Sequence, residues 1–176
     1  MMKPKEERRE SWYYFKNLKE AMDPLVDTFL KIPSFLEQIQ SLRLAILKTN
    51  IAFEETGSFS FCKTCASKGT ICCGEGLEWK LSPEEFFINL CLFKLNEKNF
   101  SLACSNSETC LFLGERGCSL ELVPLFCRNF FCTPLSKYLG LKNLTYIQHT
   151  MEEEAKLSFN VSEYLKKTLK INHKGV

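Results

Sequence analysis

Residues 62–73 read Cys-Lys-Thr-Cys-Ala-Ser-Lys-Gly-Thr-Ile-Cys-Cys, which places four thiols in one short stretch. A second run, over residues 110–132, carries four more of the ten cysteines in this 176-residue chain. Thiolates offered close together are the usual ligands of zinc and of iron–sulfur clusters. The two runs therefore predict a metal-binding core. The candidate ligands are Cys62, Cys65, Cys72, Cys73, Cys110, Cys118, Cys127 and Cys132.

The spacing of these cysteines leaves their grouping open. A two-residue spacer lets a tight turn direct the sulfurs of Cys62 and Cys65 at one ion, with metal–sulfur distances of about 2.3 Å. Neighbouring side chains point in different directions, so either one of Cys72 and Cys73 is a ligand while the other packs, or each serves a different centre. Eight thiols allow two sites of four, or one site of four with the remainder packed. Buried free cysteines without metal are a third alternative.

The remaining cysteines and the two histidines are expected to lie outside the site. Cys91 falls on a largely apolar helix face, which favours a packed thiol. Cys104 has no partner at metal spacing, and its role stays open with a structural role favoured. Neither His149 nor His173 lies beside a cysteine run, so both are interpreted as ordinary polar residues. The predicted ligand set is therefore all sulfur.

Composition limits the class of protein. A hydrophobic content of 45% suits a single domain with an apolar core. Lys and Arg total 23 against 21 for Asp and Glu, and the resulting net charge of +2 is too balanced for a dedicated nucleic-acid surface. We expect a cytoplasmic protein with no membrane partner, since no segment resembles a signal-peptide core or a membrane span. A reducing cytosol favours metal over disulfides, and a disulfide-rich exported protein is the alternative.

The pattern along the chain predicts a mainly α domain with an irregular cysteine-rich core. Its expected parts are an N-terminal helical arm (1–57), the metal-chelating core (58–142) and C-terminal helices (143–176). Asp23 and Pro24 are typical of a helix start, and Ser82-Pro83-Glu84-Glu85 forms a capping box before a helix ending near Leu95. An apolar stripe between Pro33 and Gly57 predicts a core-facing helix. Two C-terminal helices are expected, over about 145–158 and 162–170.

The order of motifs over residues 62–132 resembles the YkgJ-like CxxCxxCC family, described as a zinc- or iron-chelating domain. The resemblance is carried by the cysteine pair, the double cysteine, a Cys-x-Phe-Leu element at Cys110, a Gly-Cys at Cys118, and a Pro-x-x-Cys-Arg segment ending at Arg128. The segment between Cys65 and Cys72 is longer than in the family motif. The resemblance implies chelation by Cys62, Cys65, Cys72, Cys73, Cys110, Cys118 and Cys127, and the spacing adds Cys132.

Three functions remain open from the sequence. The first is a metal-chelating protein that binds an iron–sulfur cluster or zinc and, with a cluster, transfers electrons. The cluster is slightly favoured because eight thiols lack a nearby histidine. The second is a structural zinc module that binds a protein partner. The third is an accessory or catalytic component of a protein-modifying system, because the family is distantly related to the cysteine-rich region of flagellin lysine N-methylase. No glycine-rich cofactor loop follows a strand, so enzymatic activity stays undecided.

Overall fold

Helices account for most of the described chain, as the sequence predicts. The computed structural model describes residues 10–102, 108–114 and 117–169. Within these ranges the chain forms six α-helices, one short 3-10 helix and one hairpin of two-residue strands. In chain order they are α1 (Glu10–Leu30), α2 (Pro33–Glu55), α3 (Ser58–Ser67), the 3-10 helix (Leu77–Lys80), α4 (Pro83–Leu95), β1 (Leu113–Gly114), β2 (Gly117–Cys118), α5 (Leu125–Arg128) and α6 (Thr133–Leu169).

Helix α1 passes through the proline that was expected to begin a helix. Pro24 lies inside α1, so the predicted start at Asp23-Pro24 is wrong. A proline inside a helix removes one backbone hydrogen bond. The buried stripe of α1 nevertheless continues beyond it through Val26 and Phe29, in register with Phe15, Leu18 and Met22. The stability gained by burying this stripe against the core therefore outweighs the helix-breaking effect of Pro24.

Helices α2 and α6 pack along each other, and both contribute residues to the main core and to the smaller one. The stripe of α2 is buried at Ile39, Leu42 and Ile46, which confirms its core-facing interpretation. Helix α6 is continuous across residues 159–161, so the predicted division into two C-terminal helices is wrong. Its break lies instead at Gly140, whose φ of 65° and ψ of 172° leave the helical region. Glycine tolerates this positive φ because it has no Cβ.

Helix α4 occupies the centre of the main core. Its bounds and its capping box are those predicted: Ser82 Oγ accepts from the Glu85 amide at 3.1 Å, and Glu85 Oε2 accepts from the Ser82 amide at 2.9 Å. Every residue from Phe86 to Phe93 is buried. A helix that is buried on all sides must be covered by its neighbours. Helices α1, α2 and α6 all contact it.

The cap of α4 gives a direct test of this part of the fold. We expect Ser82→Ala to lower the free energy of unfolding by about 1 kcal/mol, because the Glu85 amide loses its acceptor at the helix start. Ser41→Ala is the control, since Ser41 is exposed and its hydroxyl only bonds the Glu37 carbonyl within α2. That variant should change stability by less than about 0.5 kcal/mol. Equal urea midpoints for the two variants would contradict the role of the cap.

Two further findings concern the predicted division of the chain and the predicted lack of a membrane span. Helix α6 runs across residue 143, where the sequence suggested a boundary between core and C-terminal helices. In the part of the chain described here, no helix is both long and apolar enough to cross a bilayer.

Candidate metal centre

The first cysteine pair lies on a helix, not in the tight turn that its spacing suggested. Cys62 and Cys65 both belong to α3. Residues three apart on a helix share a face, so both thiols lie on the same side of α3. Helix α3 begins after Gly57, which has a φ of +76°. A Cβ at this position would lie 2.6 Å from Tyr138 Oη, so the glycine allows α3 to approach α6 closely.

Backbone hydrogen bonds then carry the chain from α3 to the second cysteine run. The Thr70 amide donates to the Cys65 carbonyl at 3.0 Å, a bond that caps the C-terminal end of α3. The Cys110 amide donates to the Cys73 carbonyl at 2.9 Å, and an isolated antiparallel bridge joins Gly74 to Thr109. The double cysteine therefore lies directly against the start of the second run.

The hairpin brings Cys118 back toward Cys110. Strands β1 and β2 are antiparallel with Leu113 opposite Cys118. The Ser119 amide donates to the Phe112 carbonyl at 2.8 Å and extends this pairing. Cys127 follows on α5, which contacts the 3-10 helix. Cys132 lies immediately before α6, where its carbonyl accepts from the Ser136 amide at 2.9 Å.

A buried asparagine fixes the segment between Cys118 and Cys127. The Asn89 side chain donates to the carbonyls of Glu85 and Leu122 at 2.9 and 3.0 Å, and its oxygen accepts from the Leu122 amide at 3.0 Å. Sequence reasoning did not identify this anchor. The available signal was one polar residue in the otherwise apolar segment 86–93, because a buried amide requires partners.

Four thiols gather between α3 and the start of α6. Burial raises the pKa of Cys62, and the neighbouring Cys132, Cys65, Cys72 and Cys73 raise it further because negative charges repel one another. Burial likewise raises the pKa of Cys72, followed by the effects of Cys132 and Cys65. Side-chain hydrogen bonding with Cys132 is a further, smaller cause that raises the pKa of Cys72. We call Cys62, Cys65, Cys72 and Cys132 the helix-side group.

A second set gathers around the hairpin. Burial raises the pKa of Cys110 to about 12, and Cys118 and Cys73 are among its charged neighbours. Cys118 is exposed as a whole residue. Desolvation of its sulfur is nevertheless the main cause that raises its pKa to about 11, and the nearby Cys73 and Cys127 raise it further. Burial and then Cys73 raise the pKa of Cys127. We call Cys73, Cys110, Cys118 and Cys127 the hairpin-side group.

Two cations lie beside the hairpin-side group. Arg128 lowers the pKa of Cys118 against the larger effect of desolvation, and Lys80 does the same for Cys127. Three other cations lie near cysteines in the sequence: Lys63 and Lys68 are exposed, and Arg116 lies outside the described residues. Arg128 itself is buried, and its Nε donates to Glu154 Oε1 at 3.2 Å.

The chemistry of the donor set fits a thiophilic metal or cluster. Thiols whose pKa values are raised hold their protons at neutral pH, and a bound cation is what makes thiolates favourable. Within residues 10–102, 108–114 and 117–169, however, no three His, Cys, Asp or Glu side chains are arranged closely enough to hold an ion as they stand. The thiols are gathered near one another without closing on one point.

The remaining predicted residues fall in different places. Cys91 is fully buried in the main core, and burial raises its pKa to about 12, as suits a packed thiol. Cys104 and His173 lie outside the described residues, and His149 is exposed on α6.

The phenylalanines that lie near cysteines of the second run in the sequence differ in burial. Phe112 is buried and Phe131 packs against the smaller core beside Phe53. Phe126 and Phe130 are more than half exposed. An apolar surround is therefore present on the core side of the cysteines and lacking on the outer side.

In comparisons with known proteins, no family model, no curated protein and no solved structure shows significant similarity to this chain.

Proposed function

We propose that this protein chelates a thiophilic metal centre through its clustered thiolates, with an iron–sulfur cluster slightly favoured over zinc. The observation that supports the proposal most is the gathering of eight cysteines from five separate segments: α3, residues 72–73, residues 110–118, α5 and the residue before α6. Chance placement would not make so many of these thiols neighbours of one another while Cys91 packs in the main core. The resemblance to the YkgJ-like family is in line with this proposal.

The residues around the proposed centre would have three different roles. The eight cysteines would supply sulfur ligands, while Arg128 and Lys80 offset negative charge beside the hairpin-side group. A bound cluster would supply one-electron redox chemistry, which makes electron transfer the accompanying role. Burial of Phe112 and Leu111 beside Cys110 would exclude water from one side of the centre.

A structural zinc centre is the second candidate, and a specific observation favours it. Among the described residues from 110 to 132, the regular elements are two strands of two residues each and the four-residue helix α5. Such short elements provide little backbone pairing of their own. A tetrahedral zinc ion would hold them in place without redox activity. The methylation-related alternative rests on the family resemblance alone.

Elemental analysis of the purified protein distinguishes these candidates. We expect protein purified without oxygen to contain iron with matching acid-labile sulfide and to absorb broadly at about 400 nm. Zinc without sulfide would contradict the cluster and support the structural centre. A well-folded protein that retains neither metal after supplementation with iron, sulfide or zinc would contradict the proposed function as a whole.

A further inference from the structure

Helix α2 carries a second apolar stripe on the side that faces away from the core. Its members are Leu44, Leu47 and Ile51, which are 59%, 54% and 43% exposed. Their spacing of three and four residues places them on one face of the helix, and it is the spacing of a coiled-coil seam. We call these three side chains the outer stripe of α2. Large apolar side chains in one exposed row are typical of an interaction surface, whereas isolated ones are not.

Contacts with α6 hold one flank of the outer stripe in place. Lys48 Nζ lies 2.9 Å from Glu153 Oε2, and Tyr146 Oη donates to Glu55 Oε2 at 3.1 Å. Lys48 and Glu55 each follow a member of the outer stripe by four residues, so both contacts lie along the same flank. The Tyr146 side chain is itself exposed and adds aromatic surface beside the stripe. A face that is ordered before binding loses less entropy on association.

The charges on the opposite flank match those of a second copy of this chain. Arg43 and Glu54 are exposed there, and neither forms an ion pair among the described residues. They are eleven residues apart, or about 16 Å along the helix axis. Their midpoint coincides, within one residue, with the midpoint between Leu47 and Ile51. A two-fold axis at this point relates two antiparallel α2 helices and keeps equivalent flanks together. It therefore places Leu47 against Ile51 of the second copy, and Arg43 against Glu54 of the second copy, at both ends of the contact.

The same charges disfavour a parallel pair. Parallel packing brings opposite flanks together, so Arg43 would face Lys48 of the second copy, which has the same charge. We propose that the outer stripe of α2 is the contact surface of a homodimer, in which two α2 helices pack antiparallel and Arg43 of each copy pairs with Glu54 of the other. The contact covers about three turns of helix per chain, which is less than the roughly 1,600 Å² of a standard interface requires. The dimer is therefore weak, and we expect a dissociation constant of about 10–100 μM. This inference does not depend on metal binding.

Sedimentation velocity of the full-length protein tests the dimer, in a reducing buffer that prevents disulfide-linked pairs. We expect mostly dimer at about 200 μM chain and mostly monomer at about 1 μM. Leu47→Glu should give monomer at both concentrations, because it places a carboxylate without a partner at the centre of the contact. Phe159→Glu is the matched control. Phe159 is 64% exposed and lies on a different face of α6 from Tyr146 and Glu153, so this variant should dimerise like the wild type.

Exchange of the charges tests the antiparallel arrangement. Arg43→Glu and Glu54→Lys, each alone, should raise the dissociation constant at least about threefold, because like charges then face each other at both ends. Both changes in one chain restore opposite charges and should return the constant to within about twofold of the wild-type value. Single variants that dimerise as well as the wild type would overturn the arrangement.

Two results would overturn the homodimer itself. One is a wild-type protein that stays monomeric at about 200 μM, which would leave the outer stripe to a different protein. The other is a dimer that Leu47→Glu leaves intact, since it would then form through another surface. All the substituted side chains are exposed, so the variants should keep the helical circular dichroism of the wild type.

Discussion

Replacing Cys72 and Cys73 together with alanine is expected to remove bound metal almost completely. The two residues lie at the meeting point of the helix-side and hairpin-side groups, so the double variant takes one sulfur from each. A metal centre that loses a thiolate ligand binds far more weakly, and we expect retained metal to fall by at least about tenfold. The measurement is metal content per chain after gel filtration in a mild chelator.

The same variant should lose the stability that metal binding provides. A ligand that binds only the folded protein stabilises it by about 4 kcal/mol when its free concentration is a thousand times its dissociation constant. Chelation should therefore lower the unfolding temperature of the wild-type protein and leave that of the double variant unchanged. Cys91→Ala is the matched control, since it should retain metal and respond to chelator in spite of its cavity in the core. Full metal content in the Cys72→Ala, Cys73→Ala variant would refute the assignment of this pair.

Local signals in the sequence predicted the elements that local interactions determine. The start of α4 follows from Ser82 and Glu85, which are three residues apart and make two hydrogen bonds with each other. Local sequence signals gave wrong helix boundaries where packing between residues far apart in the sequence determines the structure. Pro24 does not begin a helix because Val26 and Phe29 continue a stripe that the core covers. Likewise α6 has no break before Ser162, because Val161 and Leu165 are buried on the same face.

For the cysteines, too, the sequence predicted what depends on spacing along the chain but not what depends on tertiary packing. The members of the cysteine cluster could be named from their spacing, which reflects the chemistry of thiol ligands. Which cysteines lie near one another could not be predicted from spacing. Cys132 comes near Cys62 because α3 packs on α6, and the glycine at position 57 makes that close packing possible. The anchoring amide of Asn89 depends in the same way on Leu122, which is 33 residues away.

Substituting Arg128 with methionine is the second change from which we expect a large effect. Arg128 and Glu154 form an ion pair whose side chains are only 6% and 5% exposed, and the guanidinium carbon lies 5.6 Å from the centre of the Phe53 ring. Removing one partner of a buried pair leaves the other charge without compensation and typically costs about 3–5 kcal/mol. We expect a loss of that size for Arg128→Met in urea unfolding of metal-free protein, where loss of metal does not contribute.

A double variant separates the ion pair from the packing of the arginine. Adding Glu154→Leu removes the stranded carboxylate, and hydrophobic replacement of both partners of a buried pair is often neutral, so most of the lost stability should return. Lys48→Met is the surface control: Lys48 pairs with Glu153, both side chains are more than half exposed, and the expected change is below about 1 kcal/mol. If Arg128→Met cost no more than Lys48→Met, the buried pair would not be holding α5 against α6. The position of Cys127, next to Arg128 on α5, would then have to depend on its contacts with the 3-10 helix instead.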